Sequence, residues 1–284
     1  MATAEESRFM QGMQVIREGR RGAPPLVLLH GSGASGAAWG PMSALLSAQR
    51  DVVRVDLPGC GKSPSAPTYA VSAQADRVAA LLDELGLRRA AVAGHSSGGY
   101  VATALAEQRP DLVGSLALIS TGPGLDALLP EPFVLRALLG PPFGPLLWAL
   151  RPDGMIRKGV QATAVRPVDV PDELVAGVQG ITYRTFRKVL RANGAYLTAR
   201  NVPERLAALS EPVPVLVVFG DADPRWDPAS ARRYEKVPGA RVEMLAGVGH
   251  LPPLEAPEAT GELLLAFTAA GGPGLGLGSA PVAT

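Results

Sequence analysis

Cysteine is almost missing from this chain. Cys60 is the only one, which excludes an internal disulfide and any cysteine-built zinc cluster. Histidine is nearly as scarce: His30, His95 and His250 are the full set, too few for a multi-histidine metal centre. Long apolar runs are absent too. The longest are strand-sized, such as 215–219, far short of a membrane span. No charge sign dominates, since 27 basic residues stand against 26 acidic ones for a net charge of +1. That balance leaves no electrostatic footprint for nucleic acid or an anionic membrane. The first seven residues are polar and acidic, without the basic start and apolar stretch of a secretory signal. These absences point to a cytoplasmic protein with no metal and no cofactor, whose partner is a small molecule rather than nucleic acid or membrane. Oligomeric state is not legible.

What is present is an ordinary globular composition, 47% hydrophobic and 19% charged over 284 residues, enough to bury one large core. The basic residues are almost all arginine, and alanine, glycine and proline abound, a skew typical of a GC-rich bacterial genome. Short β-branched runs at 13–17, 26–29, 51–55, 90–93, 115–119, 215–219 and 241–244 read as strands. Several are apolar throughout, as in a mostly parallel sheet covered on both faces. Helical patterns at 71–85, 97–108 and 257–270 separate them, the first stopped by Gly86 and the second by Pro110. The expectation is an α/β fold with a mostly parallel central sheet of about eight strands flanked by helices. The alternation breaks once, between 119 and 215, where no strand is convincing. A helical insertion, or lid, is therefore expected at 123–205, after the sixth strand. The core is then formed by 1–122 and 206–270, with a Gly-rich, flexible tail at 271–284.

Gly94-His95-Ser96-Ser97-Gly98-Gly99 follows a strand and precedes a helix, the context in which G-x-S-x-G carries meaning. A serine on so tight a turn needs small residues two before and two after it, and Gly94 and Gly98 are there. The turn lifts the hydroxyl above the sheet, and the helix N-terminus behind it favours a developing oxyanion. A serine hydroxyl needs a base. His95 adjoins Ser96 and should point away from it, and His30 ends an earlier strand. His250, in a glycine-flanked loop after the last strand, is the best placed. A carboxylate should orient the imidazole. Asp221, Asp223 and Asp227 all follow the apolar strand at 215–219, and residue pattern alone leaves the choice among them open.

With these segments in hand, nearly the whole chain resembles the α/β-hydrolase superfamily, in its serine-nucleophile branch. The order Ser96, aspartate, His250 is the order of that family. The resemblance implies that Asp223 is the acid, that His30-Gly31-Ser32-Gly33 is the oxyanion loop, and that the backbone N–H groups of Ser32 and Ser97 hold the oxyanion. Asp56-Leu57-Pro58-Gly59-Cys60-Gly61-Lys62-Ser63 and Glu255-Ala256-Pro257 resemble two further family segments. Ser96 stands where haloalkane dehalogenases and epoxide hydrolases carry aspartate, so those activities are not expected. The oxyanion loop also lacks the three consecutive glycines of many lipases.

Other motifs mislead. Gly31-Ser32-Gly33-Ala34-Ser35-Gly36 imitates a dinucleotide fingerprint, and Gly61-Lys62-Ser63 the end of a phosphate loop that lacks its first glycine. Cys60 reads as a small buried thiol. The insertion carries eleven basic and seven acidic residues, a hint of a carboxylate-bearing substrate, and its apolar side chains Phe133, Phe143 and Trp148 are expected to wall the pocket. The function expected is acyl-enzyme hydrolysis of an ester, thioester or lactone. C–C bond hydrolysis and polyketide-tailoring acyl transfer or cyclisation are alternatives on the same site. A non-hydrolytic small-molecule receptor is the alternative of another class.

Overall fold

A computed structural model of the chain describes residues 5–130 and 140–270. The expected tail at 271–284, and Phe133 in the expected pocket wall, lie outside the described residues. Eight strands form one sheet: β1 (Glu6–Met10), β2 (Met13–Glu18), β3 (Pro25–Leu29), β4 (Asp51–Val55), β5 (Ala90–His95), β6 (Val113–Ile119), β7 (Val215–Gly220) and β8 (Ala240–Leu245). Their order across the sheet is β1-β2-β4-β3-β5-β6-β7-β8. β1 and β2 pair antiparallel, as do β2 and β4, and the remaining neighbours are parallel.

Seven of these strands carry the hydrophobic runs read from sequence. β1 carries no such signal, because three of its five residues are exposed and none is buried. Helix α1 (Gly40–Ser47) was equally unmarked, opening on Gly-Pro. Helices α2 (Val71–Glu84) and α3 (Ser97–Gln108) follow the apolar spacing expected of them.

Alternate residues of the central strands serve opposite faces of the sheet. Val27 and Leu29, with Val217 and Phe219, join one core with α2 and α3. Leu26 and Leu28, with Leu216 and Val218, join a second core with Trp39, Met42 and Leu264. Both faces are dry, which explains why these strands read as continuous apolar runs.

Between β6 and β7 the chain forms helices α4 (Phe143–Ala149), α5 (Asp153–Gln161), α6 (Asp172–Gln179), α7 (Tyr183–Ala199) and α8 (Val202–Ala207). Ile156, Val170, Leu174, Val175 and Val178 give this insertion a small core of its own, packed on Ala34, Ala37, Ala38 and Leu254 of the sheet loops. After β8 come the short helix α9 (Pro252–Glu255) and α10 (Pro257–Ala270). Among the described residues no helix is long and apolar enough to cross a membrane.

Candidate active site

From β3 the chain steps to β4 on one side, and it later returns to place β5 on the other side of β3. The carboxyl ends of β3 and β5 therefore flank the point where winding reverses, the place where open α/β sheets bind ligands. Ser96 stands there, between β5 and α3. Its φ of 51° and ψ of −119° lie in a region L-residues avoid, at a cost of about 1–3 kcal/mol. The two glycines around it are steric necessities. A Cβ on Gly98 would lie 2.2 Å from the Leu29 carbonyl oxygen, and one on Gly94 would lie 2.4 Å from Gly98 backbone.

His250 and Asp223 reach this serine from the ends of β8 and β7. His250 Nε2 lies 3.2 Å from Ser96 Oγ, and Nδ1 lies 2.9 Å from Asp223 Oδ2. The other carboxylate oxygen, Oδ1, accepts N–H bonds from Arg225 at 2.8 Å and Trp226 at 3.1 Å. All three side chains are buried. The neighbouring aspartates do other work. Asp221 accepts from the Gly247 N–H at 2.7 Å, and Asp227 caps the turn that follows it through the Ala229 N–H at 3.0 Å. Geometry therefore separates three aspartates that residue pattern left equivalent.

The other histidines are held neutral. His95 is buried beside His250, its Nε2 2.8 Å from the His250 carbonyl oxygen. Burial, then the neighbouring His250 charge, pushes its pKa down to about 3. Its ring packs against that of His250, with centroids 5.2 Å apart. His30 is also lowered by burial. Its Nε2 accepts the Leu57 N–H at 2.9 Å, so the proton sits on Nδ1, which donates to the Gly31 carbonyl at 2.8 Å. Cys60 is buried with its thiol raised to about 12 by burial and the nearby Asp56 charge, unsuited to nucleophilic work.

The loop at 30–33 presses on the serine: a Cβ on Gly31 would stand 3.1 Å from Ser96 Cβ. Ser32 Oγ and Ser97 Oγ are 2.8 Å apart, so the two residues expected to supply oxyanion amides sit side by side. Asn193, on α7, donates to Ser32 Oγ at 2.9 Å. Sequence reasoning missed Asn193. A buried asparagine in mid-helix, where the residue is disfavoured, was the available signal.

A cavity of about 10 Å³ lies against this cluster, lined by Ser32, Ser97, Val101, Val189 and Asn193 among others. Neither of the two described residues of the expected pocket wall lines this cavity. Phe143 is 60% exposed, and the buried residue of its short helix is Gly144. Trp148 stacks on Phe186 at 4.6 Å and donates its indole N–H to the Ile181 carbonyl at 2.7 Å. It packs the insertion together and does not line this cavity. Among the described residues no group of histidine, cysteine and carboxylate side chains could hold a metal ion.

Comparison with known proteins gives a consistent picture. The profile of the Alpha/beta hydrolase family matches residues 26–263. An uncharacterized protein of Mycobacterium tuberculosis is 31% identical over 81% of this chain and 70% of its own length. A pimeloyl-[acyl-carrier protein] methyl ester esterase of Neisseria meningitidis is 30% identical over 84% of this chain and 91% of its own. Among solved structures, an N-acyl homoserine lactonase complexed with N-butanoyl homoserine superposes with a TM-score of 0.78. It is 21% identical, covering 96% of this chain and 99% of that one.

Proposed function

The chain belongs to the alpha/beta hydrolase family, and on that premise we propose that it is a serine hydrolase cleaving an ester, thioester or lactone of a moderately sized, largely apolar acyl compound. The observation that carries this reading is the hydrogen-bonded line Asp223, His250, Ser96, at 2.9 Å and 3.2 Å, on a strained turn at the winding reversal. Ser96 attacks the carbonyl carbon while His250 Nε2 takes the hydroxyl proton. Asp223 holds the imidazole proton on Nδ1 and stabilises the cation. The amides of Ser32 and Ser97 hold the oxyanion, and α3 adds its N-terminal dipole. The leaving alcohol or thiol takes the proton from His250. Water, deprotonated by the same nitrogen, then releases the acid.

A narrower substrate reading has one observation in its favour. Helix α7 carries Arg184, Arg187, Lys188 and Arg191 at helical spacings that share one face, and no acidic residue lies on the helix. Lys188 and Arg191 also line an open groove of about 530 Å³ between α7 and the start of α2. An anionic group on the substrate or on its carrier fits that face.

The test is fluorophosphonate labelling followed by a panel of esters, thioesters and lactones. Ser96→Ala should abolish labelling and lower turnover by several orders of magnitude while the fold survives. Undiminished turnover would overturn the mechanism. Tight binding without turnover in the native protein would point instead to a receptor.

A further inference from the structure

The carboxylate of Glu255 takes four backbone N–H groups and no side-chain donor among the described residues. Oε2 accepts from Gly249 at 2.9 Å, Val165 at 2.8 Å and Arg166 at 3.0 Å, and Oε1 accepts from Leu251 at 2.9 Å. The side chain is buried. Gly249 and Leu251 are the residues on either side of His250, while Val165 and Arg166 belong to the insertion between β6 and β7. One carboxylate thus joins the loop of the base to the segment that crosses above it.

Other bonds run across the same seam. The His250 N–H donates to the Thr163 carbonyl at 3.0 Å. The Arg166 guanidinium donates to the carbonyls of Gly247 at 2.9 Å and Ala246 at 2.7 Å. Contact is tight enough that a Cβ on Gly249 would stand 2.9 Å from Val165 N and 3.1 Å from the Thr163 carbonyl oxygen. On the far side, Gly220 at the end of β7 has no room either: its Cβ would meet the Val248 carbonyl oxygen at 2.1 Å. The histidine loop is wedged between sheet and insertion, and Glu255 is the fastening.

We infer that Glu255 is a positioning residue that aims His250 at Ser96 and, through the same carboxylate, latches residues 163–166 of the insertion to the histidine loop. The positioning half rests on the reading of His250 as the base. Glu255 fixes the peptide plane after His250 through the Leu251 N–H, the His250 N–H bond to Thr163 fixes the plane before it, and together they set its Cα–Cβ direction. Its imidazole then needs only the Asp223 bond to hold its aim. The latch has a second effect. Residues 163–166 cannot lift without carrying the base away from the serine, so substrate-linked movement of the insertion is confined to parts remote from this seam. A misplacement of about 1 Å is enough to cost roughly 100-fold in rate.

The experiment uses the full chain with Glu255→Ala and Glu255→Gln, read by steady-state kinetics on any ester it cleaves and by amide hydrogen exchange. Glu255→Ala should lower kcat by about 10- to 100-fold with little change in KM. Amides at 163–166 and 249–251 should lose protection together, while β5 and β7 keep theirs. Glu255→Gln should recover part of the rate, because its carbonyl oxygen can replace Oε2 as acceptor for three of the four donors while its amide nitrogen loses the bond from the Leu251 N–H. Three results would overturn the inference: faster exchange at 249–251 with 163–166 unchanged, an unaltered kcat despite lost protection, or a uniform loss of protection that includes the core strands. If Ser96→Ala retains turnover, the reading of His250 as base fails. The exchange pattern still decides the latch by itself.

Discussion

Replacing Asp223 by asparagine should disable the base while leaving the fold in place, and the structure shows why. Oδ1 accepts from two backbone donors, the N–H groups of Arg225 and Trp226, whereas among the described residues Oδ2 bonds only His250 Nδ1. An asparagine amide on the two-donor side would set N–H against N–H, so the carbonyl must stay there. The amide nitrogen then takes the place of Oδ2 and points a hydrogen at Nδ1. The imidazole answers by moving its own proton to Nε2, the nitrogen 3.2 Å from Ser96 Oγ. That nitrogen no longer has a lone pair for the serine proton. The expected loss is about 10⁴ in kcat, or roughly 5 kcal/mol of barrier. With two of its three hydrogen bonds kept, the variant should melt within a few degrees of the parent. A chromogenic ester assay beside a thermal melt measures both. The controls are Asp227→Asn, whose carboxylate accepts from the Ala229 N–H of its own turn, and Asp221→Asn, whose carboxylate accepts from the Gly247 N–H after β8. A loss below tenfold at Asp223, or an equal loss at either control, would refute the reasoning.

His95 makes acid a selective stress. Its folded-state pKa of about 3 lies below the ordinary histidine value of 6.5, so the stability it contributes is complete above pH 6.5 and drains away as pH falls toward 3. Chemical denaturation between pH 6.5 and 4 should show a slope against pH that His95→Gln reduces, and an identical slope would contradict the assignment. Trp148→Ala should cost about 2–3 kcal/mol through lost stacking on Phe186 and the lost indole bond to the Ile181 carbonyl, which keeps Arg151 as a donor. Phe143→Ala, at an exposed site, should change the melt by less than about 0.5 kcal/mol. Charge reversal of Arg187 and Lys188 together should raise KM for anionic acyl substrates at low salt and leave KM for neutral esters unchanged. Equal effects on both would remove the anionic reading.

Strain and burial wrote the legible parts of this sequence. The elbow announces itself because only glycine fits at 94 and 98, and the central strands do so because both their faces are dry. β1 stayed hidden since an exposed edge strand needs no apolar pattern. Phe143 shows the limit of composition: it marks a segment as apolar without saying which side chains the fold covers, and this one is exposed. The choice of Asp223 among three aspartates came only from family likeness, because what separates them is which backbone amides each can reach. Asn193 and Glu255 act through partners across the fold, Ser32 at a separation of 161 residues and Val165 at 90. No local pattern could reveal contacts of that range.

The insertion is bonded to both sides of the candidate site, to Ser32 through Asn193 and to the histidine loop through Thr163, Val165 and Arg166. A chimera that took a relative's insertion at the β6 and β7 junctions would therefore inherit a roof without its rivets. Such a graft would need asparagine at the position of 193 and a backbone stretch like 163–166 meeting Glu255 before its new specificity could be expressed at full rate. Directed evolution of substrate range in this scaffold is better aimed at the outward face of α7, where Lys188 and Arg191 line the open groove.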